Sequence, residues 1–137
     1  MQISVEADPS AEVRERIDRG LDIFNETKAG PLQASELWVI ARDDDGVATA
    51  GLKARSYFGW MHIDWLWVSP EARGSGVGSA LLGAAETEAR ERGCTGAHLE
   101  TYSFQAPAFY EKHGYTRFGQ VEDYPPGHAC IWLKKRF

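Results

Sequence analysis

The segment joining residue 68 to residue 81 constrains the fold most strongly, because the hydrophobic pattern changes its period there. Before it, residues 61–68 carry bulky side chains on both faces of an extended run that Ser69-Pro70 stops. After it, apolar residues recur at the spacing of one helix face: Leu81, Ala84, Ala85 and Ala89. A strand that leads straight into a helix is predicted, and such units build sheets with helices packed against them.

The flanking sequence extends this pattern to a mixed sheet. A helix is predicted from an N-cap at Ser10 to about Thr27, with a bend or break at Gly20, and residues 2–6 alternate like a short strand. The other predicted strands are 36–42, 48–56, 97–101, 115–120 and 128–134, with a short helix at 107–113. Residues 36–42 are apolar on both faces, which predicts a central strand. The expected fold is α/β, with helices on both faces of one mixed sheet, in the order β-α-β-β-β-α-β-α-β-β.

Composition limits the classes of function. The 137 residues are predicted to form a single domain, residues 1–137. The net charge of −5 weighs against nucleic acid as a partner. No signal peptide and no apolar run of about 20 residues is visible, so a cytoplasmic protein with no membrane partner is expected. Cys94 and Cys130 are too few for a disulfide scaffold, and no metal site is expected.

The turn between strand and helix reads Arg73-Gly74-Ser75-Gly76-Val77-Gly78. Glycine has no Cβ, so the backbone N–H groups of such a turn can approach an anion closely. The turn also lies at the positive end of a helix dipole, and Arg73 adds a fixed charge. The segment therefore predicts a phosphate-type anion site.

Three phosphate-binding patterns compete for this turn. A Walker P-loop requires a lysine that Gly78-Ser79-Ala80 lacks. A dinucleotide fingerprint requires its third glycine one place later than Gly78. Arg73, Gly76 and Gly78 satisfy the third pattern, [Arg/Gln]-x-x-Gly-x-[Gly/Ala]. A different α/β domain that binds a mono- or dinucleotide stays open as an alternative.

The third pattern resembles the pyrophosphate-binding signature of the GNAT superfamily of N-acetyltransferases. Residues 103–115 are similar to the superfamily's later motif, Asn-x-x-Ala-x-x-[Leu/Phe]-Tyr-x-x-x-Gly-[Phe/Tyr]. The matches are Ala106, Phe109, Tyr110, Gly114 and Tyr115, whereas Ser103 stands where the family usually has asparagine. The two motifs cover the second half of the chain, and the hairpins before them fit the rest of the fold.

This resemblance implies transfer of an acetyl group from acetyl-CoA to a primary amine, by direct attack in a ternary complex. The strand 61–68 is expected to splay from the strand 97–101 and leave a V-shaped cleft for the pantetheine arm. The implied cofactor-binding residues are Leu66, Trp67, Val68, Arg73, Gly74, Ser75, Gly76, Val77, Gly78, Ser79, Ser103, Ala106, Phe109 and Tyr110. A backbone N–H of Leu66-Trp67-Val68 would polarise the thioester carbonyl.

Two residues are assigned catalytic roles. Tyr110 matches the family's tyrosine and is implied as the acid for the departing thiolate. Asp64 stands on the strand where relatives often place a glutamate, and is expected to share the parity of Leu66 and Val68. It is therefore the first candidate for the general base, with Glu100 and His62 as rivals.

The resemblance places the acceptor between residues 24–37 and the loop 122–128. That loop combines Glu122, Asp123 and Tyr124 with a Pro-Pro turn, which suits an ammonium group. A small-molecule amine is the expected substrate, but a polyamine, an amino sugar, an amino acid and a protein amine all stay open. A non-catalytic acyl-CoA sensor of the same fold is the alternative function. The edge strands and five Trp are compatible with a homodimer.

Overall fold

A computed structural model describes all residues from 1 to 137. The chain forms two compact units, Met1–Gln33 and Ala34–Phe137, each described here by itself. The first contains helix α1, Ala11–Ala29, capped by the Ser10 hydroxyl, which accepts a hydrogen bond from the Val13 N–H at 3.3 Å. The helix runs without interruption through Gly20, so the break expected there as one alternative is absent, and a bend stays a prediction. That residues 1–137 act as a single domain stays a prediction.

The strand predicted at residues 2–6 is absent. These residues have no regular secondary structure, and Ile3 is 83% exposed. A strand needs a neighbouring strand to pair its N–H and C=O groups, and the first unit contains only a helix. Alternation of polar and apolar residues was therefore not sufficient to form a strand here.

The second unit is built on one six-stranded sheet in the order β1-β2-β3-β4-β6-β5. The strands are β1 Ser35–Arg42, β2 Ala48–Tyr57, β3 Trp60–Val68, β4 Gly96–Tyr102, β5 Thr116–Glu122 and β6 Ala129–Arg136. Only β3 and β4 pair in parallel, through the crossover helix α2, Val77–Glu91. A short helix α3, Pro107–Lys112, follows β4. The mixed α/β sheet predicted from the sequence is confirmed.

Strand β1 lies at the edge of the sheet, so its expected central position was wrong. Its Leu37, Val39 and Ala41 pack against the core, but Trp38 on the other face is 52% exposed. The Trp38 ring instead contacts the Trp65 ring edge-on, with centroids 6.1 Å apart. The two-sided apolar pattern therefore reflects an aromatic cluster on the surface rather than burial on both faces.

The core lies between α2 and one face of the sheet. Leu81, Leu82, Ala85 and Ala89 of α2 are buried against sheet residues that include Leu52 and Leu99. A helix on the opposite face, which the sequence also predicts, stays a prediction. None of the helices is long and apolar enough to cross a membrane.

One charged side chain of α2 is also buried. The Glu86 carboxylate accepts hydrogen bonds from the Tyr115 hydroxyl at 2.8 Å and from the Lys135 ammonium at 2.9 Å. A buried carboxylate is tolerated when it is paired in this way. These bonds connect α2 to Lys135 in β6 and to Tyr115, which lies between α3 and β5.

Gly96 is required where β4 begins. A Cβ at this position would overlap the carbonyl oxygen of Lys135 and come within 2.6 Å of the Trp60 ring. We expect Gly96→Ala to lower the free energy of unfolding by about 1–3 kcal/mol, as overpacking does. The matched control is Gly83→Ala in α2, which has open space and should raise stability by up to about 1 kcal/mol. Urea unfolding measures both, and a Gly96→Ala variant as stable as the wild type would contradict this packing.

Candidate active site

Strands β3 and β4 pair only over the first part of their length. Their partners run from Trp60 opposite Gly96 to Ile63 opposite Leu99, although the strands continue to Val68 and Tyr102. Beyond the last pair the facing main-chain edges are free, and a cleft of about 630 Å³ lies between them. The V-shaped cleft predicted from the sequence is therefore present.

The cleft brings together many of the predicted site residues. Its lining includes Asp64, Leu66, Trp67, Val68, Arg73, Ala106, Phe109 and Tyr110. Gly74 to Ser79 and Ser103 do not line the cavity itself. The Ser103 hydroxyl accepts a hydrogen bond from the Ala129 N–H at 2.9 Å, so it holds the start of β6 in place.

Several residues that line the cleft were not predicted from the sequence, and one was predicted only as an alternative general base. Thr101, Phe104 and Gln105 line the cleft without having been assigned a role, and Glu100 was only an alternative base. The Gln105 side-chain oxygen accepts hydrogen bonds from the Thr101 hydroxyl and the Tyr102 N–H, both at 3.0 Å. These bonds shape the end of β4, and their only sequence signal is proximity to the second motif.

The glycine turn has the geometry of an anion site. Gly74 and Gly76 have φ of 77° and 84°, a left-handed conformation that favours glycine, and Gly76 is the N-cap of α2. The N–H groups of residues 77–79 form the first turn of α2 and lack an intrahelical acceptor. The Arg73 Nε donates to the Val68 carbonyl at 3.1 Å, which fixes the guanidinium at the cleft rim.

Tyr110 lies on α3, beside the glycine turn. The ring of its neighbour Phe109 is 3.5 Å from the point where a Cβ on Gly78 would stand, so α3 packs directly on the start of α2. Tyr110 is 8% exposed and lines the cleft. Burial raises the pKa of Tyr110 to about 12. Its hydroxyl therefore stays protonated at neutral pH and can donate a hydrogen bond into the cleft.

A β-bulge separates the Asp64 side chain from the face of Leu66 and Val68. Lys53 pairs with Trp65 and Ala54 pairs with Ile63, so Asp64 is the extra residue on β3. Because a bulge shifts the alternation by one residue, Asp64 does not share the face of Leu66 and Val68, which pack against the core. The expected parity was wrong. Asp64 instead joins the face that carries Lys53, Arg55 and His62.

Basic groups surround the Asp64 carboxylate. His62 Nδ1 is 2.5 Å from Oδ1, Arg55 Nε is 3.3 Å from the same oxygen, and Lys53 Nζ is 3.3 Å from Oδ2. Burial alone would raise the pKa of Asp64, but the bonds from His62 and Lys53 and the charges of His62 and Arg55 lower it overall. The carboxylate is only 12% exposed, so it is a well-anchored anion.

His62 also contacts the opposite wall of the cleft. Its Nε2 lies 2.7 Å from Oε2 of Glu100, the first β4 residue after the last β3–β4 pair. The Glu100 side chain is 43% exposed and lines the cavity. Asp64, His62 and Glu100, the three candidates for the base, therefore form one hydrogen-bonded chain across the splay.

Comparison with known proteins agrees with this architecture. The family model described as an acetyltransferase (GNAT) domain matches residues 33–117. The blasticidin-S acetyltransferase of Streptomyces morookaense is 43% identical over 109 residues, which cover 79% of each chain. The crystal structure of an acetyltransferase from Bacillus cereus superposes with a TM-score of 0.90 at 34% identity and covers 98% of each chain. A Bacillus anthracis protein crystallised with acetyl coenzyme A has the same fold, at a TM-score of 0.67 and 23% identity, over 74% of this chain and 62% of that one.

The chain belongs to the GNAT superfamily and is an acetyl-CoA-dependent N-acetyltransferase. The resemblance drawn from the two sequence motifs is confirmed. The individual residues of the site stay predictions, and the structure supplies the geometry on which each can be tested.

Gly76 offers a direct test of the cofactor turn. An alanine at this position would be strained by about 1–2 kcal/mol in the left-handed conformation. The backbone of the turn would therefore tend to adopt another conformation. We expect Gly76→Ala to raise the Kd for acetyl-CoA roughly tenfold. Gly46, at φ 80° in the β1–β2 hairpin, is a matched control, since Gly46→Ala should cost similar stability and leave the Kd unchanged. Calorimetric titration measures the Kd, and equal values for the two variants would count against this turn.

Proposed function

We propose that the chain acetylates a primary amine of a small molecule by direct attack on acetyl-CoA within the β3–β4 cleft. One observation carries the proposal. The free main-chain edges of β3 and β4, the guanidinium of Arg73 and the hydroxyl-bearing side chain of Tyr110 line the same cavity. This arrangement offers hydrogen-bond partners to an extended arm and a proton donor to its sulfur.

The cofactor would lie from the glycine turn to the end of the splay. The pyrophosphate would bind the amides of residues 74–79 with the Arg73 charge beside it. The pantetheine arm would pair with the free edge of Leu66, Trp67 and Val68, while Ala106 and Phe109 form the side wall. Because Ser103 is bonded to Ala129, we assign it the support of this wall rather than a contact with the arm.

The reaction combines proton transfers with the exchange of a C–S bond for a C–N bond. An alkylammonium has a pKa of about 10.4, so it must lose a proton before its nitrogen can attack. A backbone N–H of β3 would stabilise the oxygen charge that develops when the C–N bond forms. The nitrogen, now cationic, loses a second proton to solvent, and the C–S bond breaks with its electron pair on sulfur. The Tyr110 hydroxyl would donate a hydrogen bond to that thiolate, and solvent can complete its protonation.

The Asp64 carboxylate lines the cleft where β3 and β4 begin to separate, but its surroundings favour a role in holding His62 rather than in accepting a proton. Lys53, Arg55 and His62 all bind it and lower its pKa, which makes it a weak proton acceptor. We propose that Asp64 stays ionised during turnover and anchors His62.

The acceptor side of the cleft combines aromatic and acidic groups. Trp67 and Phe104 line the cavity together with Glu100. The rings of Tyr102 and Tyr124, the latter in the loop 122–128, have centroids 5.6 Å apart and extend this surface. Such a surface suits a cation with a planar portion. The relative named for blasticidin-S is consistent with a small-molecule acceptor.

Measurement of free thiol release tests the function. We would incubate the protein with acetyl-CoA and a panel containing blasticidin S, a polyamine, an amino sugar and a lysine peptide, and confirm the acetyl-amine by mass spectrometry. Acetylation of a small-molecule amine supports the proposal. Binding of acetyl-CoA without turnover of any amine would indicate a sensor instead.

Tyr110→Phe removes the hydroxyl while it keeps the buried ring. We expect kcat to fall about 10²-fold, within the range for lost proton transfer, with little change in the KM for acetyl-CoA. The remote Tyr57→Phe is the control and should keep wild-type kcat. Because the pKa of Tyr110 is about 12, the wild-type rate should show no falling limb from this group below pH 10. Full turnover by Tyr110→Phe would remove the assignment.

A further inference from the structure

His62 holds two carboxylates from different strands at once. Its Nδ1 bonds Asp64 on its own strand at 2.5 Å, and its Nε2 bonds Glu100 on β4 at 2.7 Å. The side chain is only 10% exposed, so water does not replace these partners easily. Both ring nitrogens are thus committed to oxygen atoms.

Counting protons shows what this arrangement requires. An ionised carboxylate only accepts hydrogen bonds, and a neutral imidazole carries one N–H. The basic groups around Asp64 keep it ionised, so Nδ1 carries a proton. At 2.7 Å the lone pairs of Nε2 and Glu100 Oε2 would repel each other unless a second proton lies between them. The His62–Glu100 pair therefore holds one proton, either on the ring or on Glu100.

The other groups around this pair bind Asp64 or remain neutral. Arg55 lies directly opposite His62 on β2, and it and Lys53 bind Asp64 rather than Glu100. His98 lies opposite His62 on β4, with ring centroids 4.9 Å apart. Burial, followed by the charge of His62, lowers the pKa of His98, which leaves that ring neutral at neutral pH. His62 is thus the ring that lies between two carboxylates.

We propose that Glu100 is the general base of the acetyl transfer and that His62, anchored by Asp64, is a positioning residue that holds Glu100 in place through the hydrogen bond at Nε2. Glu100 directly follows the last paired residue of β4 and lines the cavity. Its side chain is 43% exposed, against 12% for Asp64. One Glu100 oxygen bonds Nε2 and the other is left for the amine. This assignment rests on the proposed function.

The proton transfers balance with solvent as the only other reactant. The ammonium gives its first proton to the free Glu100 oxygen, directly or through one water, and its nitrogen lone pair forms the bond to the carbonyl carbon. The nitrogen of the resulting intermediate is cationic and gives a second proton to solvent, while the C–S bond breaks with its electron pair on sulfur. The thiolate takes one proton from solvent, and Glu100 releases its proton to solvent through its exposed side. One ammonium and one acetyl-CoA thus give one amide, one CoA thiol and one proton.

Kinetics separates the base from its support. We expect Glu100→Gln to lower kcat about 10²–10⁴-fold while the KM for acetyl-CoA stays near the wild-type value. The kcat of His62→Gln should fall less, because the amide N–H of the glutamine can still orient Glu100. His98→Gln is the matched control, since His98 makes no hydrogen bond to either carboxylate, and it should keep wild-type kcat. If the wild type acetylates an amine and Glu100→Gln does so at the same kcat, the base role is overturned and the proposed function stands.

A second His62 variant tests the positioning role. His62→Gln keeps an N–H donor for Glu100, whereas His62→Ala has none, so kcat should fall further in His62→Ala while the KM for acetyl-CoA stays near the wild-type value in both. Equal kcat in the two variants would contradict the positioning role.

The hydrogen bond between His62 and Glu100 can be measured without turnover. In nitrogen-15 NMR of the full wild-type chain, we expect the Nε2 signal of His62 to move in Glu100→Gln and the signals of His98 to move far less. A His62 Nε2 signal that Glu100→Gln leaves unchanged would overturn the inference even in an active enzyme. A wild type that acetylates no amine would overturn the proposed function, and the base role with it.

Discussion

The β-bulge at Asp64 is the constraint on which the site depends. It places an extra residue on β3 at the level where pairing with β4 ends, between Ile63 opposite Leu99 and the free edges beyond. A bulge bends and twists its strand, which accounts for the divergence that opens the cleft. It also returns Leu66 and Val68 to the core face, while Asp64 keeps the face of His62. A single irregularity thus lies between the charged chain and the free edges of the cleft.

The two walls of the cleft use different chemistry. On the side of the glycine turn the cleft offers main-chain N–H and C=O groups, left unpaired by the splay and by the left-handed Gly74 and Gly76. On the other side it offers side chains from separate strands, connected by the network of Asp64, His62 and Glu100. Main-chain donors recognise any extended arm with a phosphate, whereas the side-chain wall has to match one amine.

Features that depend on local chemistry could be predicted from the sequence, whereas features that depend on strand pairing could not. Period and glycine placement predicted β3, the turn and α2, because these depend on local chemistry. The strand at 2–6 and the central position of β1 were wrong, because pairing partners are not visible in a local pattern. The bulge is also visible in the sequence pattern of β3. The core-facing residues of β3 change from the odd Met61 and Ile63 to the even Leu66 and Val68, and such a shift requires an extra residue between them.

The charged chain across the cleft shows why residue type alone left the base undecided. Three groups with suitable chemistry lie together, and they differ in burial and in partners. Asp64 is surrounded by cations that lower its pKa, His62 contacts a carboxylate through each ring nitrogen, and Glu100 is the most exposed of the three, at 43%. Because His62 is 38 residues from Glu100 in sequence, only the parallel pairing of β3 and β4 brings them into contact. The fold therefore decides which of the three groups remains accessible, and the proposed roles follow from that difference.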